Sequence, residues 1–243
     1  MLYSKIAAAQ NKNKMLVVLI DPDKHDDASL MSFLENINQY PPDFILVGGS
    51  LVSKSVNATI EKVKTVTNLR VFLFPGNLLQ LCDQADGILL LSLISGRNPE
   101  YLIGNHVLAA PFLKSTGMEV IPTGYIIVET GSKTAVEYIS NTTAIPAGKT
   151  DIAVSTAMAG EMLGLKMIYL EGGSGADRPV NKILISEIKK HISIPLIVGG
   201  GIRNAIQAKD AYNAGADIIV IGNVLEENAA LLKDFVEVRD NAI

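Results

Sequence analysis

Short, largely apolar runs recur along this chain, and stretches of helical periodicity separate most of them. The runs are residues 15–20, 44–47, 70–74, 87–91, 119–128, 167–170, 194–198 and 218–221. An apolar run without polar alternation predicts a strand covered on both faces, as in a parallel sheet. Helical spacing of apolar positions falls at 30–37, 52–66, 153–163, 182–191 and 204–214. Eight such strands alternating with helices predict an α/β fold closed as a single (β/α)8 TIM barrel rather than an open sheet.

Two intervals depart from the alternation. Between Pro75 and Asp86 there is room only for a short helix, so the third helix is expected to be curtailed or replaced by a loop. Between Val128 and Met167 the chain is longer than one crossover needs. Its turn-rich part, 141–150, is expected over the strand ends or at a subunit contact. No linker or shift of composition divides residues 1–243, which read as one domain.

Composition narrows the function classes. Lys+Arg number 21 against Asp+Glu 25, a net charge of -4, which gives no electrostatic case for nucleic acid. The chain has no tryptophan and only 5% aromatic residues, so it offers no stacking platform for bases. A single cysteine, Cys82, excludes an internal disulfide framework and reads as a small buried apolar residue. No apolar run has the length of a membrane span, and Met1 to Lys14 is polar rather than a signal peptide, so a soluble, cytoplasmic protein is expected.

The chemistry lies at the strand ends. The seventh predicted strand runs into Gly199, Gly200, Gly201 and Ile202, and the eighth into Gly222 and Asn223. Glycines there let backbone amides approach an anion, and the loops after strands seven and eight of such barrels often hold a phosphate. The sixth strand ends in Tyr169-Leu170-Glu171-Gly172-Gly173-Ser174-Gly175, a small-residue loop carrying a carboxylate. It is no dinucleotide fingerprint, because the third glycine is missing, and no Gly-Lys-Ser/Thr follows to make a nucleotide P-loop. Its amides could clasp a small phosphate while Glu171, expected to point over the rim, reaches a neighbouring hydroxyl; Gly172 to Gly175 could equally form a plain flexible turn. The first strand ends in Asp21-Pro22-Asp23-Lys24 and the second in Gly48-Gly49-Ser50. A carboxylate and a hydroxyl on adjacent strand ends suit a magnesium completed by water and substrate phosphate, which makes Asp21 and Ser50 the candidate metal ligands. The same Asp-Pro segment also suits a turn and helix cap. His25, His106 and His191 show no metal-ligand spacing and no paired nucleophile, and read as surface or structural residues.

In this order the motifs resemble the geranylgeranylglyceryl phosphate synthase family over nearly the whole chain. Asp21-Pro22-Asp23-Lys24, Gly48-Gly49-Ser50, Gly124-Tyr125-Ile126-Ile127-Val128, the Tyr169 to Gly175 segment, Gly199-Gly200-Gly201-Ile202-Arg203 and Gly222-Asn223 carry the resemblance. It implies a prenyltransferase joining sn-glycerol 1-phosphate to geranylgeranyl diphosphate, with magnesium on the diphosphate. It further implies that Tyr169 through Gly175, Gly200, Gly201, Gly222 and Asn223 grip glycerol phosphate, and that Glu171 takes the hydroxyl proton. Tyr101 matches an aromatic position limiting tail length, in a groove opened by the curtailed third helix. The related bacterial heptaprenylglyceryl phosphate synthases commonly have lysine two places before the first-strand aspartate, where this chain has Leu19; this favours the geranylgeranyl branch. The resemblance also suggests a homo-oligomer, dimer or hexamer. A longer-donor synthase, a sugar-phosphate isomerase or aldolase, and a non-catalytic phosphate-binding barrel are the alternatives; the sugar-phosphate enzymes would need an acid/base pair or a Schiff-base lysine at strand ends.

Overall fold

The computed structural model describes residues 1–10 and 12–242. Eight parallel strands pair in sequence order and close into a barrel. They are β1 (Met15–Ile20), β2 (Phe44–Val47), β3 (Val71–Leu73), β4 (Gly87–Leu93), β5 (Glu119–Ile127), β6 (Met167–Glu171), β7 (Leu196–Gly199) and β8 (Ile218–Ile221). Val17 of β1 lies opposite Val220 of β8 at the closure. Around them run α1 (Leu2–Ala9), α2 (Asp27–Gln39), α3 (Val56–Val66), α4 (Asn105–Thr116), α5 (Ala135–Ser140), α6 (Thr150–Met162), α7 (Lys182–His191), α8 (Ala205–Asn213), α9 (Asn223–Glu227) and α10 (Leu232–Asp240).

The strands lack polar alternation because both of their faces are buried. Leu16, Val18 and Ile20 pack outward against the helices, while Met15, Val17 and Leu19 fill the barrel with Leu46, Phe72, Leu89, Tyr125, Tyr169 and Val220. β7 begins two residues later than its apolar run, at Leu196, since Pro195 has no amide to donate to the ladder. The polar residues of the N-terminal segment follow α1, whose own sequence is mostly apolar. Leu2 and Ile6, four apart on one helical face, are buried in the interior cluster. Glu119 holds the helix start, accepting from the amides of Leu2 (2.6 Å) and Tyr3 (2.8 Å). That helix closes the bottom of the barrel and leaves the opposite rim for ligands.

The two irregular intervals appear where expected. After β3 the chain makes only a 3-10 turn, Leu78–Gln80, before entering β4. Residues 141–150 return beside the end of β5 through a parallel bridge of Val128 with Ile145. Ile145 donates to the Ile127 carbonyl and accepts from Glu129, each at 2.9 Å. This part of the excess chain therefore lies over the strand ends.

Candidate active site

The loops after β6, β7 and β8 interlock at the rim. The Gly172 amide donates to the Gly199 carbonyl at 2.9 Å, and Ser174 Oγ donates to Asn223 Oδ1 at 3.0 Å. Gly173 and Gly200 take φ of 96° and 82°, which L side chains rarely adopt. A Cβ on Gly200 would also lie 2.6 Å from the Gly173 nitrogen and 2.7 Å from Glu171 Oε1. Among the described residues no side chain caps the start of α9 behind Gly222, which leaves its first amides free for a ligand. Neighbouring side chains hold the wall. Thr130 Oγ1 donates to the Gly172 carbonyl (2.6 Å), the Ser132 amide and hydroxyl donate to Asp177 Oδ2 (3.0 Å each), and Arg203 donates to the Ala176 carbonyl (2.9 Å).

Glu171 does not point over the rim as expected. As the last residue of β6 it shares the inward face with Tyr169, and it is buried at 6% exposure. Its Oε1 accepts from the Gly173 amide at 2.6 Å and its Oε2 from the Tyr125 hydroxyl at 3.0 Å. Burial pushes the carboxyl above its ordinary range, while the hydrogen bonds from Gly173, Tyr125 and Tyr169 oppose that rise. Beneath it, Phe74, Tyr125 and Tyr169 form an aromatic trio. Centroids are 5.9 Å apart for Phe74–Tyr125 and 5.3 Å apart for the other two pairs.

Asp21 caps a 3-10 turn, Pro22–Lys24, with Oδ1 accepting from the Asp23 amide at 3.0 Å. Oδ2 is engaged in no hydrogen bond among the described residues and lies 3.2 Å from where a Cβ on Gly49 would stand. Thus the turn-and-cap reading and an available carboxylate oxygen coexist in one residue. Ser50 follows Gly49, and Glu226 of α9 stands beside Asp21. Burial and the Asp21 charge push Glu226 up to about 7, and burial also raises Asp21. Hard oxygen donors suit magnesium, which keeps waters and takes phosphate oxygens, and the nearby Lys24 charge favours the ionised form of both carboxyls. Among the described residues no group of three His, Cys, Asp or Glu side chains forms a metal cage by itself, so substrate would have to complete such a site.

Where the third helix is missing, an apolar groove runs from Gly49 and Ser50 past Phe74, Leu78, Leu81 and Tyr125 to Tyr101 and Ala109. Ile88 and Leu90, on the outward face of β4, line it too. Tyr101 sits in a π-helical turn, Glu100–Gly104, leading into α4. It packs against the interior cluster.

The structure gathers Glu171 to Gly175, Gly200, Gly201, Gly222 and Asn223 at one side of the mouth, with Asp21 on the end of β1 and Ser50, on the end of β2, at the start of the groove that reaches Tyr101. Two residues of the set are placed differently. The Leu170 side chain packs outward against the helices, so only its backbone belongs to the site wall. Tyr169 lies deeper, where a Cβ on Gly199 would meet its hydroxyl at 2.2 Å. Sequence reasoning quoted Tyr125 in a motif without giving it a role, and it passed over Glu226. The signals for them are strand alternation, which puts Tyr125 inward, and an acidic residue in the first turn after a phosphate loop. Of the histidines, His25 stacks on Phe33 at 5.2 Å, and His106 bonds Ser92 Oγ at 3.0 Å and lines the apolar groove.

Residues 9–239 match the PcrB family. The chain belongs to that family. Among its relatives, the geranylgeranylglyceryl phosphate synthase of Spirosoma linguale is 50% identical over 223 residues, covering 90% of this chain and 88% of that protein. The one from Methanosphaera stadtmanae is 39% identical, covering 94% of each. Among solved structures, (S)-3-O-geranylgeranylglyceryl phosphate synthase from Thermoplasma acidophilum, in complex with its substrate sn-glycerol-1-phosphate, superimposes with a TM-score of 0.93 at 31% identity, covering 98% of each chain. This PcrB-family barrel thus carries, at its C-terminal rim, a glycine cradle, a buried carboxylate and an apolar groove within one mouth.

Proposed function

We infer that this PcrB-family protein is a geranylgeranylglyceryl phosphate synthase, joining sn-glycerol 1-phosphate to geranylgeranyl diphosphate through an ether bond and releasing diphosphate. The observation that carries the reading is Glu171, buried between amides suited to a phosphate and a groove suited to an isoprenoid. Amides of Gly175, Gly200, Gly201 and Asn223 hold the glycerol phosphate and bring its free terminal hydroxyl to Glu171, which the Gly173 amide holds in place. That hydroxyl oxygen bonds to the prenyl C1 as the bond from C1 to diphosphate breaks. The electron pair leaves with diphosphate, and the hydroxyl proton passes to Glu171. A carboxyl raised by burial is a stronger base once ionised, and the Gly173 and Tyr125 hydrogen bonds keep it ionisable. The faces of Phe74 and Tyr125 in the groove favour positive charge developing at C1. Held in line, the two partners gain from proximity.

Asp21 and Ser50 would hold magnesium, with Glu226 beside them. When bound, the ion neutralises diphosphate charge and eases its departure. Leu19 at the first-strand position and Tyr101 across the groove favour the shorter, geranylgeranyl donor. The reading includes work in the cytoplasm and a homo-oligomer, dimer or hexamer, for which exposed Ile103, Val107 and Leu108 beside and on α4 supply apolar contact surface. The test is diphosphate release from geranylgeranyl diphosphate, with magnesium and glycerol 1-phosphate each omitted in turn, and mass analysis of the product. Release dependent on both, with an ether product, is expected. Turnover that ignores glycerol 1-phosphate would refute the assignment.

A further inference from the structure

The curtailed third segment does more than vacate space for a lipid. Its 3-10 turn delivers Gln80 into the interior at 3% exposure, where a polar side chain must find partners. Gln80 Nε2 donates to the Gly49 carbonyl at 2.7 Å, and its Oε1 accepts from the amides of Gly49 and Gly76, each at 3.3 Å. One side chain thus holds both polar groups of the Gly49 residue that precedes Ser50. Gly76 closes the same contact from behind. A Cβ there would stand 2.4 Å from the Gly49 carbonyl oxygen and 2.9 Å from the Ser50 Cα. The turn's neighbours Leu78 and Leu81 line the apolar groove, and Leu79 between them is 95% exposed.

We propose that Gln80 is a positioning residue, which fixes the Gly49–Ser50 strand end for the metal and diphosphate and ties it to the wall that the prenyl tail touches. It touches no reacting atom itself. The proposal rests on the prenyltransferase reading, because it takes Ser50 as a metal ligand. Its physical content is that Ser50, on a glycine-rich end with no hydrogen bond of its own among the described residues, is placed only through its backbone. Outer groups that orient ligands in this way change metal affinity by about 10- to 100-fold when removed. By linkage, magnesium and a tail-bearing donor should each tighten the binding of the other, and Gln80 should carry part of that coupling.

The test uses the full chain with Gln80→Met, which keeps length and removes both hydrogen-bonding groups, and Gly76→Ala, which presses on the same carbonyl from the other side. Calorimetry with a non-reactive thiolo analogue of geranylgeranyl diphosphate, with and without magnesium, reads the coupling. Titration of glycerol 1-phosphate reads the opposite side of the mouth, and melting temperature reads the fold. Expected is a magnesium enhancement of analogue binding that falls about 10-fold or more in both variants, with glycerol 1-phosphate affinity within about twofold of wild type. In kinetics the half-saturating magnesium concentration should rise more than kcat falls. An unchanged magnesium enhancement in folded Gln80→Met overturns the proposal. Equal loss of both ligands reduces Gln80 to a structural role and overturns it as well. If wild-type protein shows no magnesium enhancement at all, the metal reading itself fails, a result separable from either of these.

Discussion

Replacing Tyr125 by Phe tests whether Glu171 is the titrating base. The substitution removes one hydroxyl, which donates to Glu171 Oε2 at 3.0 Å, and leaves the ring against Phe74 and Tyr169. A hydrogen bond to a charged group is worth about 1.5–3 kcal/mol. At about 1.4 kcal/mol per pKa unit, its loss raises the Glu171 pKa by about 1–2 units. The Gly173 amide still donates at 2.6 Å, which argues for the lower end. A base works only when ionised, so a raised pKa moves the acid limb of the pH profile to higher pH. The assay is kcat/KM for glycerol 1-phosphate across about pH 5.5 to 9 at saturating donor. Tyr125→Phe should lose activity at the acid end and regain most of it at the alkaline end. A profile lowered by one constant factor at every pH would refute the assignment, placing the hydroxyl in some other step.

Asp21→Asn should remove most magnesium-dependent turnover while leaving glycerol 1-phosphate affinity largely intact; calorimetry showing lost affinity with an unchanged magnesium requirement would falsify the metal role. Tyr101→Ala should shift preference toward longer prenyl diphosphates, read by competition between donors, and an unchanged product distribution removes Tyr101 from the groove. Glu171→Gln should lower turnover by about 10²–10⁴, and recovery at saturating acceptor would reduce Glu171 to an anchor. Because the folded Glu171 pKa is raised, wild type loses stability as pH climbs from the unfolded pKa through the folded one. The melting temperature of Glu171→Gln should therefore gain on wild type as pH rises above about 4, the ordinary glutamate range, by calorimetry.

Most of the barrel is legible in the chain because its strands are covered on both faces, and uniform apolar runs such as Phe44–Val47 and Ile218–Ile221 mark their own ends. The glycine loops are legible for a related reason, since Gly200 admits no side chain against Gly173 and Glu171. What stayed hidden depends on direction rather than residue type. The inward turn of Glu171 follows from its parity with Tyr169 on β6, and the burial of Gln80 follows from a single 3-10 turn that no periodicity announces. α1 does not announce itself, because only Leu2 and Ile6 of its eight residues are buried, too few to set a helical period.

The missing helix after β3 alters the energetics of the donor site as well as its shape. In a complete barrel the outward face of Leu90 would be buried on folding by a helix of the chain itself, as that of Ile88 already is. Here Leu90 stays half-buried on the groove, so part of the apolar burial that ordinarily stabilises the wall is deferred until a ligand arrives. A ligand that covers it stabilises the folded chain more the more tightly it binds. An isoprenoid is suited to that task because it presents apolar surface without polar groups to satisfy. The polar end of such a donor then meets the strand ends of Asp21 and Ser50, where the cap of Asp21 and the Gln80 bonds to Gly49 hold the backbone. On this account the same deletion that opens the groove also supplies, through the short turn replacing the helix, the side chain that stiffens its polar end. Lengthening that turn into a full helix would therefore cost binding at both ends of the donor, the tail losing Leu90 and the diphosphate losing the fixed position of Ser50.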